Sequence, residues 1–163
     1  MPGESMTALV AGATGAVGTA LTSRLATRRR WTVLGLSRRP PKSPIPDVSH
    51  VTGDLADPCS CAAALSKHPP VTHIFYCARV THSDEPVESV SENLLLLEGV
   101  IEAADRRSGE LRHVHIVQGG KYYGVHLGPF PTPAREDQDR CAEQNFYHAQ
   151  EDFLRGQFDV RLV

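Results

Sequence analysis

The chain has 163 residues, 40% hydrophobic and 22% charged, which suits a single domain burying roughly 70% of its unfolded surface. Its formal charge of −2 comes without a long run of Lys or Arg, which argues against a nucleic-acid partner. No apolar stretch approaches the roughly 20 residues that cross a bilayer, and the start lacks the basic and apolar parts of a secretory signal, so a cytoplasmic protein with no membrane partner is expected.

Thr7 to Ala11 is an apolar run of strand length. It leads through Gly12, Gly15 and Gly18 into a helix whose Val17, Leu21 and Leu25 form one stripe, with Arg28 to Arg30 in its last turn. Trp31 to Leu36 is a second strand, stopping at Ser37, Arg38 and Arg39 ahead of a loop that holds Pro40, Pro41, Pro44 and Pro46, where a helix is excluded. A short strand from His50 to Thr52 ends at Gly53 and Asp54, and Pro58 opens a helix that runs to Lys67. Val71 to Cys77 is a fourth buried strand. A long helix from Val87 to Arg106 follows, with Val90, Leu94, Leu95, Leu97, Val100, Ile101 and Ala104 as its apolar positions. Leu111 to Val117 is a fifth strand, with His113 and His115 on one face as a buried or edge polar pair.

A loop of about 25 residues runs from Gln118 through Pro129, Pro131 and Pro133 toward Asn145, a length that usually carries function. A helix from Tyr147 to Gly156 then leads to Phe158 to Val163, the opening of a sixth strand. Strands alternating with helices at this spacing imply an α/β Rossmann fold, a doubly wound parallel sheet apparently truncated at strand six, in one domain covering residues 1–163. Cys59, Cys61, Cys77 and Cys141 lack zinc spacing and read as reduced thiols, and no metal site is expected.

The glycine spacing carries the first chemistry. Such a turn lets backbone amides approach a pyrophosphate, which the helix N-terminus then holds with its unpaired N–H groups. Gly12, Thr14, Gly15, Ala16, Val17 and Gly18 are therefore cofactor-binding candidates. At the end of strand two, where an acid would select NAD, stand Ser37, Arg38 and Arg39, whose guanidinium forks suit the 2′-phosphate of NADPH. Asp54 with Leu55 is placed to bind adenine, Cys77, Ala78 and Arg79 to line the middle of the cofactor, and Gln118, just past strand five, is a further cofactor-binding candidate.

The Tyr-x-x-x-Lys pair of ordinary short-chain dehydrogenases is missing: four residues after Tyr76, Tyr122, Tyr123 and Tyr147 stand Val80, His126, Leu127 and Glu151. Of the three lysines, Lys42, Lys67 and Lys121, only Lys121 lies beyond a strand's carboxyl end, where open α/β sheets bind ligands. The segments Val10 to Gly18, Ser37 to Arg39, Gly53 to Leu55, Thr72 to Tyr76, Gln118 to Tyr123, Gly128 to Phe130 and Asn145 to Asp152 resemble the progesterone 5β-reductase/iridoid synthase-like enzymes, in the same order. These are atypical short-chain dehydrogenases that reduce enones with NADPH.

The resemblance implies a catalytic Lys121 and Tyr147 supplied from separate segments. Tyr147 would hydrogen-bond the developing enolate oxygen, while Lys121 holds the cofactor ribose and polarises the phenol. It also implies a small-molecule enone substrate. Two departures stand out: His148 replaces a second Tyr, and the family continues past the position of Val163 into an Arg-Pro segment and a helical substrate-binding part. An exposed strand edge would favour association, so a homodimer is one expectation. A sugar-nucleotide epimerase or dehydratase, and a non-catalytic nucleotide sensor, are the alternatives left open.

Overall fold

The computed structural model describes residues 6–81, 88–105 and 109–157. These fall into two compact units, one within Met1–Arg79 and Leu95–Val117, the other within Val80–Leu94 and Gln118–Val163.

The first unit is a five-stranded sheet: β1 (Met6–Ala11), β2 (Trp31–Ser37), β3 (Val48–Thr52), β4 (His73–Tyr76) and β5 (His113–Ile116). All pairings are parallel, in the order β3-β2-β1-β4-β5. The central β1 is buried on both faces, with Ala8, Leu9, Val10 and Ala11 fully inaccessible, which is why it reads as a continuous apolar run rather than an alternation. Each fully buried Leu, such as Leu9 or Leu34, contributes on the order of 2 kcal/mol. This is the Rossmann-like architecture that the strand and helix pattern implies.

Helix α1 (Ala16–Ala26) packs on one face, where Leu25 joins Ala8, Val10, Ala13 and Val33. Helix α2 (Pro58–Leu65) covers the other, bringing Cys61 and Ala64 close to Gly53 beside Leu36. Two details of α1 differ from the expected stripe. Val17 is exposed, because the turn rotates Gly18, Thr22 and Leu25 onto the sheet instead. Arg28, Arg29 and Arg30 lie beyond the helix, leaving Arg24 as the basic residue of its last turn. Helix α2 starts as anticipated, with Pro58 in its first turn, and Asp57 caps it by accepting from Cys59 N and Ser60 N at 3.0 and 3.1 Å.

Strand β4 is shorter than its apolar run because at its start a side chain makes the ladder contact. Thr72 Oγ1 accepts from Thr7 N at 2.9 Å, while Thr72 N donates to Thr7 O at 3.1 Å. Helix α3 (Val90–Asp105) buries Leu96, Leu97, Val100, Ile101, Ala103 and Ala104. Leu95 is 62% exposed, so Leu96 takes the inward place that periodicity gave to Leu95. At the edge of the sheet His113 and His115 are exposed, not buried. They continue an aromatic row with Trp31, His73 and Phe75. Partial desolvation lowers the His73 and His115 pKa values from the ordinary imidazole value, and the neighbouring charge of His113 lowers both further.

The second unit holds a one-turn 3-10 helix, Gly120–Tyr123, and helix α4 (Phe146–Gln157). The expected sixth strand, Phe158 to Val163, lies outside the described residues, as do Val87 and Arg106 at the ends expected for α3. All four cysteines are free. No helix among the described residues is long and apolar enough to cross a membrane.

Candidate functional site

In the first unit the parallel register sets Ala11 beside Leu36 and Tyr76, so the residues that follow β1, β2 and β4 leave the sheet at one edge. The sheet order also reverses there, since β1 connects outward to β2 while β4 lies on its other side, the arrangement that opens a ligand crevice. Gly12 takes φ +83°, and its amide donates to Leu36 O at 2.9 Å. A Cβ there would lie 2.9 Å from Ala78 N, so the turn after β1 sits directly against the segment after β4. Gly18 is tighter: a Cβ would come within 2.2 Å of Gly12 O. Thr19 Oγ1 donates to Ala13 O, which ties the first turn of α1 to the loop, and Thr22 Oγ1 donates to Gly18 O one turn back within the helix.

Gly15 occupies the N-cap of α1 and offers no side-chain acceptor. The leading amides of the helix, around Ala16 and Val17, are therefore presented to solvent beside exposed Thr14 and Gly15. The positive end of the helix dipole adds to an anion site of pyrophosphate type.

At the end of β2, Ser37 is buried and its hydroxyl donates to Arg39 O at 2.7 Å, which curls the turn and leaves Arg38 and Arg39 exposed. His50 Nε2 lies 3.4 Å from the same hydroxyl, and burial lowers its pKa against the opposing pull of the Arg39 backbone. Asp54 is exposed, but one carboxylate oxygen already accepts from Ala56 N at 3.1 Å. Leu55 is buried in the core. Cys77 and Ala78 are half-buried and Arg79 exposed, and burial pushes the Cys77 thiol up, which disfavours its thiolate. Among the described residues no group of three His, Cys, Asp or Glu could hold a metal ion.

The second unit brings Lys121 and Tyr147 together through a residue that sequence reasoning passed over. Asn145 is buried; its Nδ2 donates to Lys121 O at 2.9 Å, and its Oδ1 accepts from Tyr147 N at 3.0 Å. It thus caps α4 and ties that helix to the 3-10 turn, an arrangement worth roughly 1–2 kcal/mol. Gln118 Nε2 donates to Tyr147 O at 3.0 Å, so Gln118 serves here as a brace for Tyr147. The Tyr147 hydroxyl lies near Gly119, 3.6 Å from where a Cβ would stand. Lys121 Nζ pairs with Glu88 at 2.5 Å.

The neighbouring polar groups are committed elsewhere. Tyr122 Oη donates to Glu151 at 2.8 Å and lies under Arg140, while burial pushes its phenol up. Burial also works against the Glu151 carboxylate, but Arg155, Tyr122 and Arg140 outweigh it and hold the group ionised. His148, standing where a second Tyr was expected, is buried, with Nε2 3.0 Å from Tyr122 O. Tyr147 therefore remains the phenol whose hydroxyl has no hydrogen-bond partner among the described residues of this unit, apart from half-buried Tyr123. The signal for Asn145 was its place just ahead of a helix. Nothing in the sequence marked Glu88.

The profile of the NAD dependent epimerase/dehydratase family matches residues 8–151. The chain is 35% identical over 158 residues to the short chain dehydrogenase gsfE of Penicillium aethiopicum, covering 91% of this chain and 42% of that protein. It is 34% identical over 161 residues both to the (S)-8-oxocitronellyl enol synthase ISY1 of Nepeta racemosa and to the 3-oxo-Delta(4,5)-steroid 5-beta-reductase of Arabidopsis thaliana, covering 90% of this chain and 40% of each relative. The chain thus spans about two fifths of the length of these relatives. Among solved structures, UDP-glucose 4-epimerase from Bifidobacterium longum superposes with a TM-score of 0.73 at 18% identity, over 93% of this chain and 49% of that one, which shows a shared fold. The chain belongs to the NAD dependent epimerase/dehydratase family.

Proposed function

We propose that this chain is the nucleotide-holding part of an NADPH-dependent reductase that saturates the C=C bond of a small α,β-unsaturated carbonyl compound. The observation that carries the reading is the tie through Asn145 that joins the backbone of Lys121 to that of Tyr147. Two matched relatives are named for an enol synthase and a 5-beta-reductase, which supports the same chemistry.

The glycine turn fits a dinucleotide. Gly12 and Gly18 let the turn close against backbone that a Cβ would strike, and the uncapped start of α1 supplies amides for the pyrophosphate. Arg38 and Arg39 would pair with the 2′-phosphate, and Asp54 retains one carboxylate oxygen for the adenine amino group. The bound cofactor supplies a hydride. Tyr147 donates a hydrogen bond to the substrate oxygen as negative charge grows on it, and Lys121 holds ribose hydroxyls. An epimerase of the usual kind needs a cation four residues after the tyrosine; that place holds Glu151, whose carboxylate is bound by Arg140 and Arg155.

Hydride-position labelling tests the reaction. The chain, alone and joined to the remaining portion of a matched relative, is incubated with deuteride-labelled NADPH and a small enone. The label is expected on the β-carbon of a saturated carbonyl product. A label on the carbonyl carbon, or tight NADPH binding without any transfer in the joined protein, would contradict enone reduction.

A further inference from the structure

We propose that Glu88 is the positioning residue of Lys121, holding its ammonium in the one pose from which it meets the cofactor ribose. The inference rests on the role given to Lys121 above and adds the group that prepares it.

The two residues are 33 positions apart in sequence and meet at 2.5 Å. The Glu88 side chain is 10% exposed and that of Lys121 31%, so the carboxylate is largely withdrawn from water and needs a paired charge. A lysine side chain loses much rotamer freedom when fixed, and here both of its ends are fixed. Its carbonyl accepts from Asn145 Nδ2 and from Gly124 N, while its head group is held by Glu88.

Glu88 is itself anchored at the entry to α3. The next residue, Ser89, accepts through Oγ from Glu92 N at 3.3 Å and through its carbonyl from Asn93 N at 3.2 Å. Asn93, fully buried, clamps Val80 by taking its N–H and donating to its carbonyl. The carboxylate therefore approaches Lys121 from a fixed helix start. An ammonium has three donors, so one bond to Glu88 leaves two N–H groups, matching the two free hydroxyls of a ribose. Those hydroxyls are neutral, so lost order, rather than a changed net charge, sets the sign of the effect when Glu88 is removed.

The test compares two ligands by titration calorimetry: NADPH, and adenosine 2′,5′-bisphosphate, which carries the 2′-phosphate but no nicotinamide ribose. Releasing one ordered side chain predicts that E88Q raises the Kd for NADPH about three- to tenfold. The bisphosphate should change less than about twofold, because a residue that acts only through Lys121 leaves the 2′-phosphate end untouched. In the double variant E88Q/K121M, NADPH should bind no more weakly than in K121M alone. Glu88→Asp keeps the charge that the buried position needs and only withdraws it, so it serves as the variant that folds; a loss confined to NADPH is again expected.

Equal losses on both ligands, in either Glu88 variant, would reduce Glu88 to a structural role and overturn the proposal. So would unchanged NADPH binding in E88Q beside a clear loss in K121M, which leaves the reading of Lys121 standing. If K121M itself binds NADPH as the unaltered chain does, the role of Lys121 fails first and that of Glu88 with it.

Discussion

Replacing Tyr147 by Phe is expected to lower the rate of enone reduction roughly 10²- to 10³-fold while leaving NADPH affinity unchanged. The ring is half-buried beside Phe146, with centroids 4.2 Å apart, and the backbone is held at both its N–H and its carbonyl by Asn145 and Gln118. Those contacts survive the loss of one oxygen, so the helix should keep its place. The hydroxyl contributes no described bond to the fold, and its removal affects the donor toward the reacting oxygen alone. Steady-state kinetics in the protein joined to the rest of a relative, with NADPH binding measured alongside, would show a fall in kcat at constant cofactor Kd. Unimpaired turnover would remove Tyr147 from the chemistry.

Gly18→Ala should act through the fold of the nucleotide turn. A methyl group at this position would lie 2.2 Å from Gly12 O, 2.8 Å from Gly12 C and 3.0 Å from Ala13 Cα. All three are backbone atoms of a turn pinned to β2 by Gly12 N and Ala13 N, both donating to Leu36 O. A flexible side chain could step aside; this backbone cannot do so without releasing those bonds. The expected cost is on the order of 3 kcal/mol, at the upper end for overpacking, and nucleotide binding should be lost with it. Gly15→Ala provides the contrast, since its Cβ would meet Gly12 O at an ordinary 3.4 Å with no other heavy atom within 4 Å. Urea unfolding of the two variants should show a lowered midpoint for Gly18→Ala and little change for Gly15→Ala; a reversed order would mean that the turn is not built as described.

The parts of the fold that were legible in the sequence are those that local pattern dictates. Continuous apolar runs marked β1 and β2 because a strand buried on both faces has no polar side, and the proline loop after Arg39 excluded a helix on stereochemistry alone. Pattern failed where a neighbouring element decides the facing. Val17 lies at helical spacing from Leu21, yet the glycine turn rotates α1 so that Gly18 and Thr22 meet the sheet. In the run Leu94 to Leu97, four leucines leave the inward pair undetermined by periodicity, and the packing selects Leu96 and Leu97.

The candidate site divides in the same way. The glycine turn and the two arginines are contiguous in sequence, so their chemistry can be read directly. Lys121 is marked by its place beyond strand five, whereas Tyr147 rests on resemblance, because nothing local distinguishes Tyr147 from Tyr122; what separates the two tyrosines is that Glu151 and Arg140 engage the Tyr122 hydroxyl. Asn145 and Glu88 act on Lys121 across 24 and 33 residues, distances over which a sequence pattern carries no signal.

We propose above all that the turn from Gly12 to Gly18, with Arg38 and Arg39 beside it, holds NADPH. Titrating the chain with NADPH and NADH at fixed ionic strength tests it most directly, with R38A/R39A as the paired variant. Charge-assisted bonds to the 2′-phosphate, together worth about 1.5–3 kcal/mol, predict that NADPH binds roughly ten- to a hundredfold tighter than NADH, and that the double variant abolishes the difference by weakening NADPH alone. Equal affinity for both nucleotides, or tighter binding of NADH, would contradict it.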